Sequence, residues 1–212
     1  DERDLGVCLV DIGGGTTDVT IYSEGSIVHT AVLALGGNHL THDIAIGLGA
    51  PLHEAEEIKH NYGVAMSSMV KEDEMIDVPS VGGRNNRTMK KRVLASIIED
   101  RFREIFELIT HEIEKTHFHT LMASGVVITG GTCIMPGADR LASQVLNLPV
   151  RVGYPENIAG LREMIYSPKY ATSVGLVRYG ITSNQGKLNF VGDDTNLFHK
   201  VSRRMKDWMQ DF

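Results

Sequence analysis

The run Leu5–Asp11 (LGVCLVD) is apolar up to its last residue, an aspartate, and breaks soon after into three consecutive glycines, Gly13–Gly15. An apolar run of this length closed by a glycine turn reads as a buried strand. Beyond the turn, Thr17–Tyr22 alternates and ends at Ser23-Glu24-Gly25, and Ser26–Leu35 runs as a third strand to Gly36-Gly37. Turns this short join antiparallel neighbours, so the chain opens as a meander. Glycines leave backbone N–H groups free to approach an anion, and Asp11 at the strand end supplies a carboxylate for a metal bound to that anion. The bland alternative is a plain hairpin with glycine at positive φ. A buried strand before the turn and Thr16-Thr17-Asp18 after it favour the anion site.

From Asn38 the period turns helical. Leu40, Ile44 and Leu48 share a face, with Asn38 available as N-cap, and a second helix from about Pro51 to Asn61 stops at Gly63. Met66–Gly83 is strand-like, and Arg84-Asn85-Asn86-Arg87 is a polar loop. The longest helix follows, about Thr88 to His117, with Leu94, Ile98, Phe102, Ile105, Ile109 and Ile113 as its apolar stripe. Gly125–Thr129 is another buried strand, Ala138–Leu146 a helix, Val150–Val152 a strand, and Pro168–Tyr179 a helix opening with proline. These later strands need helical crossovers and should be parallel. The pattern predicts an α/β layered domain, residues 1–46 and 125–183, with a smaller α+β unit inserted at 47–124. A second glycine turn, Thr129–Gly137 (TGGTCIMPG), is expected to open a helix and so to offer both free N–H groups and a helix dipole. An ordinary strand-to-helix turn is the alternative, and the presence of two such turns in one domain strengthens both.

Composition closes off other classes. Lys plus Arg number 21 against 27 Asp plus Glu, a net charge of -6, which argues against nucleic-acid binding by a basic surface. The two cysteines, Cys8 and Cys133, sit in apolar runs, a reduced pattern rather than a disulfide framework. No apolar stretch approaches the ~20 residues of a membrane span. His111, His117 and His119 lack partners at metal-ligand spacing and read as a solvated helix end. The chain starts at Asp1 and runs almost at once into a buried-looking strand, as the continuation of something longer would. At the other end, residues 184–196 are polar and aperiodic, a linker. Leu197–Phe212 regains helical period: Phe198, Val201, Met205, Trp208, Met209 and Phe212 make one apolar face. Four basic residues against two acids give that segment +2, where the rest carries −8. A short cationic amphipathic helix with Trp and Phe behind a loose linker describes an anchor lying in an anionic membrane surface.

The pair DIGGGTTD and TGGTCIMPG resembles the second phosphate motif and the adenosine motif of the superfamily of actin, Hsp70 and the sugar kinases. GGNHLTHDIA, AEEIKHNYG and the SVGGR loop resemble one branch of it, the bacterial cell division FtsA family, over essentially the whole chain. The resemblance implies half of an actin-like (ribonuclease H-like) ATPase fold, the C-terminal half, without the family's first phosphate loop and extra subdomain. By motif position it implies that Asp11 holds magnesium through water and that Gly13, Gly14, Gly15 and Thr16 contact the β- and γ-phosphates of ATP. Gly130, Gly131 and Thr132 would approach the α-phosphate and nucleoside, with Ile134 and Met135 near the adenine and Glu56 and Lys59 at ribose and base. A Glu/Lys pair at this spacing is otherwise a solvated helix face.

Further implied are self-association into an actin-like polymer, other division proteins as partners, and a site at the cytoplasmic face of the plasma membrane where division occurs. The C-terminal peptide of the tubulin-like protein FtsZ would dock on the inserted unit at Arg101 and Glu104, with Arg87 nearby. ATP binding with at most weak hydrolysis is implied, and no enzyme activity of this segment alone. A small-molecule kinase of the superfamily would hold its catalytic carboxylate and sugar-binding residues largely in the other half and has no need of the cationic tail. An actin-like pilus-assembly scaffold would share the phosphate motifs and lack the tail.

Overall fold

A computed structural model describes residues 1–80, 86–116, 122–156 and 165–184. Its strands are β1 (Val7–Ile12), β2 (Thr17–Ser23), β3 (Ser26–Leu33), β4 (Met75–Val78), β5 (Arg87–Lys90), β6 (Val126–Thr129) and β7 (Val150–Val152). Its α-helices are α1 (Glu2–Leu5), α2 (Gly37–Leu48), α3 (Leu52–Tyr62), α4 (Lys91–Glu114), α5 (Ala138–Leu146) and α6 (Ala171–Asn184). Five strands form one sheet in the order β3-β2-β1-β6-β7. The meander pairs antiparallel, and β1–β6 and β6–β7 pair parallel, as the connection lengths require. The linker at 184–196, apart from its first residue, and the apolar face from Phe198 to Phe212 lie outside the described residues.

One face of the sheet is the floor of the core. Cys8 stands opposite Ile21 and Val126, and Val10 opposite Val19 and Ile128; all six are buried. Buried residues of α2, α4 and α5 share one core with them, with α4 lying against β2, α2 and α5, and α5 against β7. The apolar stripe of α4 is buried throughout, and Phe102 and Phe106 stack with ring centroids 5.6 Å apart. Buried residues of α3, β4 and α4 belong to the same contiguous core as the sheet. Contacts divide the chain into residues 1–174 and 175–212. In the second unit the described turns of α6 expose Leu176, Val177, Tyr179 and Ile181.

Three local expectations are corrected. Thr88–Lys90 is strand, not the start of the long helix: it pairs with β4 from Met75↔Lys90 to Val78↔Arg87, and the Thr88 hydroxyl donates to Asp77 at 3.0 Å. The apolar stripe begins only at Leu94, so nothing holds 88–90 in helix. Asn38 is not the N-cap of α2; the cap is Gly36, two residues earlier, and the helix starts at Gly37. The second glycine turn opens onto a single 3₁₀ turn, Thr132–Ile134, and α5 starts only at Ala138, so the turn has free N–H groups without a helix dipole.

Because Phe102 is fully buried between sheet and helices, Phe102→Ala should lower stability by about 3–5 kcal/mol. Urea unfolding of the two proteins measures this; a loss below about 1 kcal/mol would mean that the stripe does not organise the core.

Candidate functional site

Three glycine-bearing turns meet at the carboxyl ends of β1 and β6. The Gly13 carbonyl accepts from the Gly37 N–H at 2.9 Å and from the Thr132 hydroxyl at 2.9 Å, and the Gly14 carbonyl accepts from the Asn38 N–H at 2.7 Å. Two of the N–H groups that every helix leaves unpaired at its start are thereby satisfied by the first turn. The approach is close enough to exclude side chains: a Cβ on Gly36 would lie 2.6 Å from the Gly13 carbonyl oxygen. A Cβ on Gly130, which has φ +93°, would lie 2.4 Å from both Asp11 Oδ1 and the Ile12 carbonyl. With the Gly13 and Gly14 carbonyls turned toward α2, Gly14 and Gly15 are exposed, and their N–H groups meet no protein acceptor among the described residues. The Gly131 N–H is likewise unmet.

These turns border a cleft of about 560 Å³. Of the residues read from the sequence, Gly14, Glu56, Lys59, Gly131, Thr132, Ile134 and Met135 line it. Gly13 and Gly130 lie behind it as packing joints, Gly15 and Thr16 beside it on the exposed turn, and Asp11 under Gly130. Gly37, Asn38, His60, Gly63, Pro136 and Lys169 also line the cleft and were not singled out as site residues. The available signal was Gly36-Gly37, a third glycine pair at a strand end. Ile134, Met135 and Pro136 give the cleft an apolar wall, and the backbone donors give it a polar one.

Lys59 is 8% exposed, and its ammonium donates to Glu56 Oε2 at 2.7 Å, Thr41 Oγ1 at 2.7 Å and the Gly37 carbonyl at 3.1 Å. All three of its donors are used within the protein. The cluster locks α3 to the first turn of α2. Burial raises the pKa of Glu56, but hydrogen bonds from Lys59 and Thr41, with the Lys59 charge, outweigh it and hold the carboxyl below its ordinary value. Burial pushes both Cys8 and Cys133 up to about 12, so both are neutral thiols and neither is an activated nucleophile.

Asp11 accepts from the Thr172 hydroxyl at the start of α6, and its register partner on the same sheet face is Asp18. Magnesium keeps several waters and binds through one or two carboxylates plus substrate phosphates, and this donor set fits it. Among the described residues no group of three or more His, Cys, Asp or Glu side chains forms a self-sufficient metal site.

The residues read as partner-binding lie elsewhere, around α4. Arg101 is paired within the protein: it donates to Asp43 of α2 through Nε at 2.6 Å and Nη2 at 3.0 Å, and it also meets Glu104. Arg87 donates to the Leu48 and Gly49 carbonyls and so closes the C-terminal end of α2. One turn of α4 before Arg101 lies a shallower groove of about 370 Å³, lined by Ser67, Lys90, Arg92, Val93, Ser96 and Ile97.

A group with a depressed pKa contributes stability that is present above its unfolded value and lost as pH falls through its folded value. In Lys59→Met the carboxyl of Glu56 should therefore titrate at higher pH than in the wild type, with the acid-side loss of stability displaced upward accordingly. Carboxyl-detected NMR titration measures the midpoint; an unchanged midpoint would mean that Lys59 is not what holds Glu56 ionised.

Comparison with known proteins identifies the fold and the family. The sequence model described as Cell division protein FtsA matches residues 8–175. The chain is 40% identical to the cell division protein FtsA of Pseudomonas aeruginosa, covering 99% of this chain and 52% of that protein. With FtsA of Escherichia coli K12 the figures are 44%, 99% and 50%, and with FtsA of Bacillus subtilis 40%, 84% and 39%. The chain thus spans about half the length of the curated relatives it matches. Among solved structures, MreB5 of Spiroplasma citri bound to ADP superposes with a TM-score of 0.66 at 21% identity, over 86% of this chain and 56% of that one. The PilM–PilN type IV pilus biogenesis complex gives 0.62 at 19%, over 85% and 47%. The fold is therefore half of an actin-like ATPase fold, and the chain belongs to the FtsA family of cell division proteins.

Proposed function

We propose that this chain is the C-terminal half of an actin-like adaptor that binds ATP with magnesium and tethers FtsZ to the cytoplasmic membrane at the division site. The observation that carries the nucleotide part is the cleft in which unpaired N–H groups of two glycine turns face an apolar wall at Ile134 and Met135. Such N–H groups suit phosphate oxygens, and the apolar wall suits a base. Asp11, with Asp18 beside it, would hold the magnesium, which would neutralise phosphate charge when bound. In the assembled protein the other half would supply the second wall, and this half alone leaves the phosphates partly solvated. Glu56 is the side chain at the cleft whose carboxylate can meet ribose hydroxyls. Lys59 keeps it ionised and in place.

The partner part concerns α4. An apolar floor of Val93 and Ile97 rimmed by Lys90 and Arg92 suits a peptide with apolar and acidic side chains, and Arg101 and Glu104 follow one and two turns on along the same helix. We place the FtsZ C-terminal peptide in that groove. Arg101 serves it indirectly, since reversing its charge would set a third carboxylate beside Asp43 and Glu104. The membrane part rests on the sequence of Leu197–Phe212, whose apolar face and +2 charge suit an interfacial helix. Basic residues near an anionic surface contribute about 1 kcal/mol each, so the apolar face with Trp208 and Phe212 must supply the remainder. One such anchor binds reversibly; many on one polymer would bind tightly through effective concentration.

A single flotation experiment tests the tether. Labelled FtsZ C-terminal peptide should float with anionic vesicles only when the chain is present. Trp208→Glu should leave both protein and peptide behind. Lys90→Glu with Arg92→Glu should keep the protein on the vesicles and release the peptide. If the tail variant floats as well as the wild type, the anchor reading fails; if the groove variant still carries the peptide, the docking site lies elsewhere.

A further inference from the structure

The cleft holds two lysines, and they are in different electrostatic situations. Lys59 is neutralised by Glu56 and uses all its donors within the protein. Lys169 is exposed, borders the same cleft, and has no carboxylate within ion-pair distance among the described residues. Its ammonium rests over the Tyr170 ring, 4.8 Å from the centroid, as a cation–π contact.

Its backbone is fixed at the anion side of the cleft. Lys169 lies on the 3₁₀ turn Pro168–Tyr170, and the Gly130 N–H donates to the Pro168 carbonyl at 3.3 Å. The Thr129 hydroxyl lies 3.4 Å from the same carbonyl, and a Cβ on Gly131 would stand 3.7 Å from Lys169 Cβ. Three residues on, Thr172 donates to Asp11. Lys169 therefore stands beside the second glycine turn, on the segment whose Thr172 meets the strand-end carboxylate. The apolar wall of Ile134, Met135 and Pro136 belongs to the segment that follows that glycine turn.

We infer that Lys169 is a phosphate-contacting residue of this cleft, beyond those named above; the inference rests on the nucleotide reading. An ammonium is a point charge that meets a phosphate oxygen from many directions, so a flexible lysine on a short fixed turn can follow a polyphosphate that the backbone donors hold. It supplies the one uncompensated positive charge among the described cleft residues, where the backbone N–H groups supply only partial charges. Bound polyphosphate would draw the ammonium from the Tyr170 ring, a weak contact at an exposed site.

The test compares a ligand that carries phosphates with one that does not. Dissociation constants for MgATP and adenosine are measured on the 212-residue chain by NMR titration, which reads weak binding, for wild type, Lys169→Ala and Lys169→Arg. Retained amide dispersion in each variant establishes that it is folded. Lys169→Ala should weaken MgATP by about three- to tenfold, the range of a partly exposed charge-assisted contact. It should leave adenosine within about twofold, and Lys169→Arg should keep MgATP close to wild type, since it keeps the charge. Added salt should shrink the MgATP loss. Equal loss of both ligands would make Lys169 part of the cleft wall, and no loss of either would make it a solvated lysine; both overturn the inference alone. A wild-type chain that binds neither ligand would overturn the nucleotide reading and this inference with it.

Discussion

The carbonyl of Gly13 is the joint on which the site depends. It accepts both the Gly37 N–H and the Thr132 hydroxyl, so a single oxygen ties the turn after β1 to the start of α2 and to the turn after β6. The three segments are far apart in sequence, and the second and third bring glycine, at Gly36, Gly37 and Gly130, where a side chain would collide with a neighbouring segment. The Gly13 and Gly14 carbonyls both accept from α2, and the N–H groups of Gly14 and Gly15, antiparallel to them across the same trans peptides, point the other way. The unpaired donors of the cleft thus follow from how the core is closed, and a side chain at Gly36 or Gly130 would disturb both together.

Helix α2 carries this geometry across the molecule. Its first turn, at Gly37 and Asn38, borders the cleft, and Thr41 holds the Lys59–Glu56 pair. Two turns from its start Asp43 grips Arg101, a Cβ on Gly47 would meet Ile97, and the Leu48 carbonyl accepts from Arg87. Ile97 lines the groove on α4. Helix α2 therefore borders the cleft at its first turn and packs near its other end on Ile97, a residue of the groove. The charged residues that look free in the sequence are spent on fixing that helix against α4.

Much of this was legible in the residues. Apolar runs closed by glycine gave β1 and β6, alternation gave β2, and the three- and four-residue spacing of the α4 stripe gave the longest helix, since each pattern reports directly on burial. Turn lengths separated antiparallel from parallel pairing. What stayed hidden depends on contacts made across the chain. Thr88–Lys90 is strand because β4 lies beside it. Gly36 caps α2 because the first glycine turn supplies acceptors for Gly37 and Asn38. Arg101 reads as a solvated helix residue until Asp43, on another helix, is brought to it. Lys169 is a lone lysine in sequence, and contacts of the Gly130 N–H and Thr129 hydroxyl with the Pro168 carbonyl put it at the cleft.

The central claim is that the glycine turns form a phosphate site. A crystal structure of the chain soaked with MgADP at high concentration tests it most directly. The diphosphate should lie against the N–H groups of Gly14, Gly15 and Gly131, with the ribose at Glu56 and the adenine on Ile134 and Met135. Nucleotide bound elsewhere on the chain, or phosphates turned away from both glycine turns, would contradict it.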